Sequence, residues 1–305
     1  MPAADMHAPE MPDATARFQT ARPMLLGLAY RLLGSRADAE DAVQDTFLRW
    51  QASDAAGIAN AEAWLTAVCT RRCLDLLQAA DRARVDYVGT WLPEPVPTAP
   101  GDEPAQAAAL ASSLTTAFLL ALQRLTPKER AAYLLHEIFD RPYAEVATAL
   151  DLQAPACRQL VSRARAHLAA ARVRHATPPA RQRQLLDAFR EAIATGSTAT
   201  LTGLLAADVR LSADGGGKVV AARRVMRGLA EVRRFIEAGL HVWWSPHVLE
   251  ETTLNGQPGF VLRDGDTASV VATIVFGWDA DGQVGDLFIM RNPDKLAGLD
   301  RPRVQ

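Results

Sequence analysis

RPYAEVATALDLQAPACRQLVSRARAHL, residues 141 to 168, holds two helical patterns of unequal length separated by a short polar break. Tyr143 to Leu150 reads as a short helix and Asp151 to Gln153 as a turn. A longer helix starts at Ala154, with Pro155 in its first turn, where the missing N–H has no intrahelical partner to lose. Ala147, Leu150, Leu152, Cys157, Leu160 and Ala164 form the packing side of the pair, which makes it a helix-turn-helix. The outer side of the second helix carries Arg158, Gln159, Ser162, Arg163 and Arg165. Such side chains pair with phosphates and with guanine or adenine edges in a major groove. A solvated arginine-rich helix in a bundle is the plainer alternative. DNA binding is preferred because the charge and the helix-turn-helix pattern coincide.

The charge is concentrated there. No acidic residue lies between Asp151 and Asp187, while Arg158, Arg163, Arg165, Arg172, Arg174, Arg181 and Arg183 all do. SRADAEDAVQD, residues 35 to 45, is the reverse, with Asp38, Glu40, Asp41 and Asp45 against Arg36. A net charge of −2 over 305 residues therefore hides strong polarisation along the chain. That length suits two or three domains. Apolar residues make up 49% without any run long enough to span a bilayer, so a soluble protein is expected. Residues 1 to 17 read as a tail without a secretory signal. Three cysteines cannot build a disulfide framework, which fits a reducing cytoplasm. Cys69 and Cys73 could supply half a metal site, but no further Cys or His pair has ligand spacing; packing is the better reading and no metal or other cofactor is expected.

Three helices are expected before residue 80. ARPMLLGLAYRLLG places Leu25, Leu28, Ala29 and Leu32 on one face and stops at Gly34. Ser35 can cap a second helix, which buries Ala39, Val43, Phe47 and Trp50 and leaves an acidic side; a third runs from about Ala61 to Ala80. VGTWLPEPVPTAPGDEPA, with five prolines, reads as a linker, and helices resume from Ala105 to near Ala176. After a helix at Arg181 to Thr195, the runs DVRLSA, HVWWSPHVLEETTL, PGFVLRD, ASVVATIVFGWD and VGDLFIMR predict an antiparallel sheet in an α+β domain. LSADGGGKVV, residues 211 to 220, superficially suggests a phosphate loop. The spacing fails, because Ser212 stands where the first glycine is needed and Val219 follows Lys218. Asp214 to Gly217 is better read as a tight turn between strands, with Val219 and Val220 favouring the second strand.

Three blocks, SRADAEDAVQDTFLRW, AWLTAVCTRRCLDLL and ALQRLTPKERAAYLLHEIFDRPYAEVATALDLQAPACRQLVSRARAHL, occur in this order between about residues 20 and 175. Together they resemble the two helical domains of an extracytoplasmic-function sigma factor. The resemblance implies that the helix of Asp41, Gln44 and Asp45 docks on the clamp of RNA polymerase core. It also implies that the helix of Arg71, Arg72 and Asp75 reads and helps open the −10 promoter element, and that the helix-turn-helix reads the −35 element. Two departures stand out: Asp151 replaces a frequent turn glycine, and Leu76 and Gln78 stand where relatives often carry basic residues. Asp tolerates the left-handed backbone such a turn needs.

TWLPEP (residues 90 to 95), DGGGK (214 to 218) and NPDKL (292 to 296) narrow the resemblance to the sigma-factor group with a fused SnoaL-like domain. The expected fold is then multidomain: two all-α sigma domains followed by an α+β, cone-shaped SnoaL-like domain. Its expected parts are a tail (1–17), sigma region 2 (18–88), the proline-rich linker (89–106), sigma region 4 (107–176) and the SnoaL-like domain (180–300). The group implies internal control by the last domain in place of a separate anti-sigma protein. It also places Trp91, Leu92, Pro93, Glu94 and Pro95, Asp214, Gly215, Gly216, Gly217 and Lys218, and Asn292, Pro293, Asp294, Lys295 and Leu296 near the domain contact. Implied partners are RNA polymerase core, through the clamp of β′ and the flap of β, and promoter DNA, in the cytoplasm at the nucleoid. A membrane partner is not implied.

Catalysis in the last domain is a weaker alternative. His241, His247, Asp208 and Asp286 are its acid–base candidates, with Trp243 and Trp244 as apolar lining, but isolated histidines and strand-side tryptophans are more often structural. Sensing of a small ligand in the cone is the stronger of the two, with no ligand identified. A helix-turn-helix repressor fused to such a sensor or enzyme is the runner-up for the whole chain.

Overall fold

The computed structural model describes residues 14–54, 57–84, 87–98, 113–169, 177–279 and 281–300. The chain opens with α1 (Ala14–Leu33), α2 (Arg36–Gln51) and α3 (Ala61–Arg84). Residues 14 to 17, read as tail, are helical. Trp50 donates its indole N–H to the Ala14 carbonyl at 2.7 Å, and Phe18 packs on Phe47 with ring centroids 4.6 Å apart. α1 ends as expected at Gly34, whose φ of 71° is easily adopted without a Cβ. Ser35 caps α2 by accepting the Asp38 N–H at 3.2 Å.

The second helical unit contains α4 (Thr116–Leu122), α5 (Pro127–Tyr133) running into a π turn at Leu134–Ile138, α6 (Tyr143–Leu150) and α7 (Ala154–Ala169). The helices expected between Ala105 and residue 112 lie outside the described residues. α6 and α7 form the helix-turn-helix, and Asp151 takes the left-handed conformation at its turn, with φ 53° and ψ 55°. The two helical units share one continuous core. Leu25, Leu28, Leu32 and Leu77 of the first belong to the same buried cluster as Phe118, Leu122, Leu134, Val146 and Val161 of the second. Cys69, Cys73 and Cys157 are all buried within it.

The C-terminal domain starts with α8 (Pro179–Thr195) and α9 (Ala199–Thr202). Then come β1 (Leu205–Asp214), β2 (Met226–Arg227), α10 (Leu229–Trp244), β3 (Val248–Leu254), β4 (Gln257–Arg263), β5 (Val270–Trp278), β6 (Val284–Met290) and α11 (Pro293–Leu296). Strand order is β2-β1-β6-β5-β4-β3. Three expectations are corrected. The sheet is mixed, since β1 pairs with β6 in parallel. HVWW belongs to a helix: Val232, Ile236, Leu240 and Trp244 recur every four residues and are buried, a periodicity that outweighs the local β preference of Val and Trp. Val219 and Val220 form no strand; Val220 is 87% exposed, and β2 rejoins β1 only at Met226 and Arg227.

The central strands are apolar on both faces. Phe260, Leu262, Ile274, Phe276, Leu287 and Ile289 face α8 and α10, whereas Val261, Val275, Phe288 and Met290 point the other way. The second face is covered by Leu92 of the linker, Leu296 and Leu299, with Ala117 and Leu120 of α4 packed against them. Period-two alternation thus builds a sheet whose outer face is covered jointly by the linker, the C-terminal end of its own domain and α4. Linker residues 96 to 98 run beside the β3–β4 turn: Asn255 N–H donates to the Val96 carbonyl at 2.8 Å and Thr98 N–H to the Thr253 carbonyl at 3.0 Å.

Candidate nucleic-acid and interdomain interfaces

α7 presents Arg158, Gln159, Ser162, Arg163 and Arg165 to solvent. Arg158 lies over the Tyr143 ring at 5.6 Å. Arg163 donates to the buried Glu129 carboxylate at 2.8 Å, and Arg165 donates to Glu137 at 2.6 Å. Glu129 also closes the capping box of α5 with Thr126. Burial pushes the Glu129 carboxyl up, but Arg163 and the two Thr126 donors outweigh it and hold the group below the usual carboxylate range. Arg163 therefore supports the fold as well as charging the surface.

On α2, Asp41 and Gln44 are exposed, while Asp45 forms an ion pair with Arg72 of α3 at 2.6 Å. Asp75 is exposed. Arg71, on the helix expected to read the −10 element, donates through Nε to the Ala149 carbonyl at 3.2 Å and through Nη2 to the Thr148 carbonyl. Those carbonyls end α6, the first helix of the helix-turn-helix, where a cation satisfies free acceptors and meets the negative end of the helix dipole. Neighbouring contacts repeat the theme. Arg130 bridges the units by donating to Leu32 at 2.7 Å and Leu122 at 2.9 Å, and Arg141 pairs with Glu62. Arg31 donates to Ser113 at 2.8 Å; burial pulls its pKa down to about 10.

A second interface joins the linker to the C-terminal domain. The fully buried Asp214 carboxylate accepts from Tyr87 Oη at 2.5 Å, the Leu92 N–H at 2.9 Å, the Gly216 N–H at 2.9 Å and Lys295 Nζ at 2.8 Å. Lys295 also donates to the Leu92 carbonyl at 2.7 Å and sits 4.4 Å from the Trp91 ring centre. Asn292 donates to Tyr87 Oη at 3.1 Å and caps α11 by accepting the Asp294 N–H at 3.1 Å; Lys218 and Asp294 pair at 2.6 Å. Gly217 packs near Val88, and Leu296 lies in the apolar cluster with Leu92.

Glu94 faces the other way. Its carboxylate accepts the Arg36 N–H at 2.7 Å at the start of α2, and its own N–H donates to Gly34 at 2.8 Å. Burial raises the Glu94 carboxyl pKa against those donors. Gly34 is needed for space as well: a Cβ there would lie 2.5 Å from Trp91. Pro93 and Pro95 are buried on either side of Glu94. Residues 91 to 95 thus form a strap between α1–α2 and the C-terminal domain. Three members of this network carried no sequence signal: Tyr87, Tyr30 and Asn255. Tyr30 Oη donates to the Glu94 carbonyl at 2.5 Å, and Asn255 donates to Tyr30 Oη at 2.6 Å.

The acid–base candidates do not converge. The Nδ1 of His241 lies 2.6 Å from the Ile193 carbonyl, the half-buried His247 follows α10 with its backbone N–H donating to the Trp244 carbonyl at 3.0 Å, Asp286 is paired with Arg210 at 2.7 Å, and Asp208 is exposed on β1. Trp243 and Trp244 flank a cavity of about 440 Å³ that none of these four residues lines. Among the described residues, no cluster of His, Cys, Asp and Glu could hold a metal ion.

Residues 18–83 match the family model described as Sigma-70 region 2, and residues 115–168 that described as Sigma-70, region 4. The ECF RNA polymerase sigma factor SigJ of Mycobacterium tuberculosis is 37% identical over 298 residues, covering 93% of this chain and 93% of the relative. A probable ECF RNA polymerase sigma factor, SigI, of the same species is 35% identical over 215 residues, 69% of this chain and 74% of the relative. The crystal structure of the M. tuberculosis SigJ protein superposes with a TM-score of 0.71 at 36% identity, covering 93% of this chain and 98% of that one. The chain belongs to the extracytoplasmic-function RNA polymerase sigma factors.

Proposed function

We propose that this sigma factor, which directs promoter-specific initiation by RNA polymerase, is held in a closed arrangement by its own C-terminal domain. The observation that carries the proposal is the pair of bonds from Arg71 to the end of α6. Elements named for positions −10 and −35 lie roughly 85 Å apart along B-form DNA, yet here the helix assigned to the first is bonded to the opening helix of the helix-turn-helix assigned to the second. Both surfaces cannot read their elements until they separate. Asp41, Gln44 and Asp45 are assigned to the β′ clamp, Arg71, Arg72 and Asp75 to the −10 element, and the five polar residues of α7 to the −35 element and its phosphates. The β flap is the expected contact of the second helical unit.

The strap and the buried Asp214–Lys295 pair hold linker and C-terminal domain together, and α4 is packed on the outer face of the sheet. That arrangement supports a regulatory role for the domain without a separate anti-sigma protein, in the cytoplasm where polymerase and DNA are. No described helix is long and apolar enough to cross a membrane. Core polymerase supplies the chemistry; the C-terminal domain is assigned control, not catalysis.

Run-off transcription with purified core tests the reading, comparing the full chain with a form trimmed after residue 177 and with Arg71→Ala. Promoter-dependent transcripts are expected, with trimming changing their yield and Arg71→Ala lengthening the distance between labels on α3 and α7. Identical activity with and without residues 178 to 305, or no promoter-dependent transcript from any form, would refute it.

A further inference from the structure

The cavity between the sheet and α10 is lined by apolar side chains, among them Phe235, Leu240, Trp243 and Trp244, and Arg291 is the ionisable residue in its lining. Its size, about 440 Å³, falls within the range that holds small organic ligands. Two of its lining side chains, Val220 and Trp243, are exposed and apolar, and the neighbouring recess adds Val219 and, from the linker, Val88. An apolar chamber with one cation specifies a ligand with an apolar body and a single negative charge.

Arg291 is suited to that charge. It is half-buried, and desolvation lowers its pKa without removing its proton at neutral pH. The side-chain bond described for it runs from Nη1 to the Val220 carbonyl at 2.6 Å. A guanidinium carries five donors, so capacity remains for a bidentate carboxylate. We propose that this cavity binds an organic monocarboxylate with a fatty or aromatic body, its carboxylate held by Arg291 and its apolar part by Phe235, Leu240, Trp243 and Trp244.

The position of Arg291 links the site to the seam. Its backbone N–H donates to the Asp214 carbonyl at 2.7 Å, next to the carboxylate that gathers Tyr87, Leu92 and Lys295. Val220, Ala221 and Ala222 form one wall of the cavity and also line the recess that Val88 and Gly89 enter from the linker. A carboxylate that draws Arg291 from the Val220 carbonyl frees this wall and with it the linker contact. This coupling, unlike the binding itself, rests on the closed arrangement proposed above.

Calorimetric titration of the full-length protein with decanoate and naphthoate, against decanol and naphthalenemethanol, tests the site, with tryptophan emission as a second readout. The carboxylates are expected to bind at least about tenfold tighter than the alcohols, the usual advantage of hydrogen bonds to a charged group. Arg291→Gln should erase that difference and leave the alcohols unchanged, whereas Ala222→Phe should block all four; circular dichroism checks both folds. No saturable binding by any probe, or equal affinity for acids and alcohols in the parent protein, overturns the site. The distance between labels on α3 and α7, measured with and without decanoate, tests the coupling. Binding without a change in distance overturns the coupling alone, whereas a long distance before any ligand is added overturns the closed arrangement itself.

Discussion

Lys295 and Asp214 meet at 2.8 Å in a place where the carboxylate has no exposure to solvent. The lysine belongs to the last short helix and the aspartate ends the first strand, while the linker backbone supplies further partners to both. The pair lies within the C-terminal domain, and its bonds to the Leu92 backbone hold the strap that leads into the helical half.

Replacing Lys295 by Met leaves the Asp214 charge buried with neutral donors only. Breaking one side of such a pair costs about 3 kcal/mol, and denaturant unfolding should show a loss of that order. Asp214→Asn combined with Lys295→Met should recover part of it. If the double variant is less stable than Lys295→Met, the ion pair is not the source of the loss.

Gly216→Ala tests the seam without changing charge. Gly216 has φ +60°, and a Cβ would lie 2.4 Å from Asn292 Nδ2. Gly282 is a built-in control, with φ +71° and nothing within 4 Å of an added Cβ. Both variants should carry backbone strain of about 1 kcal/mol or more, and Gly216→Ala should melt lower because Asn292 must also move. Equal melting temperatures would mean that the contact yields freely.

Alkaline pH should loosen the same interface. Tyr87 is pushed above its ordinary value by burial and by its bond to Asp214, and Tyr30 is raised by burial against the Asn255 bond that lowers it. A raised folded-state pKa means that the stability contributed is fully present below the unfolded tyrosine value of about 10. It is lost as pH rises from there through the folded values. Ultraviolet titration should show late-ionising phenols, one fewer in Tyr87→Phe, and a steeper fall in stability above that pH in the parent than in the variant.

Arg163 and Arg165 should separate fold from DNA binding. Arg165→Ala should reduce the salt slope of promoter binding by about one unit with little change in melting, as expected for one lost phosphate contact. Arg163→Ala should destabilise the protein, because Glu129 is then left buried without its cation. Glu129 has a depressed folded-state pKa, so its contribution is present above the unfolded carboxylate value and lost as pH falls through the folded one. The destabilisation should accordingly be larger at neutral than at acidic pH; the same loss at both would exclude the ion pair as its cause.

What was legible in the sequence was local. Ser35, Gly34, Asp151 and Pro155 act through bonds or dihedral angles within a few residues, and each takes the role its neighbours dictate. Local preference misleads where a longer period competes with it. HVWW, with its β-favouring residues, continues the four-residue repeat of Val232, Ile236 and Leu240 and so stays helical. Val219 and Val220 lack a strand because Asp214 is drawn into the seam and the chain turns away after Gly215. The parallel pairing of β1 with β6 joins segments distant in sequence and leaves no short-range mark.

The sequence alone determined the helix-turn-helix, the polarised charge, the two helical units and the presence of a separate β-rich half, since periodicity, capping and turn chemistry are short-range properties. Only the tertiary structure decided that Arg71 is spent on the end of α6, that Arg72 pairs with Asp45, and that Tyr87, Tyr30 and Asn255 complete the strap. Each depends on which distant surface must cover an apolar face. Here the outer face of the sheet is covered by the linker, Leu296, Leu299 and α4, and that burial places the charged partners within hydrogen-bonding reach.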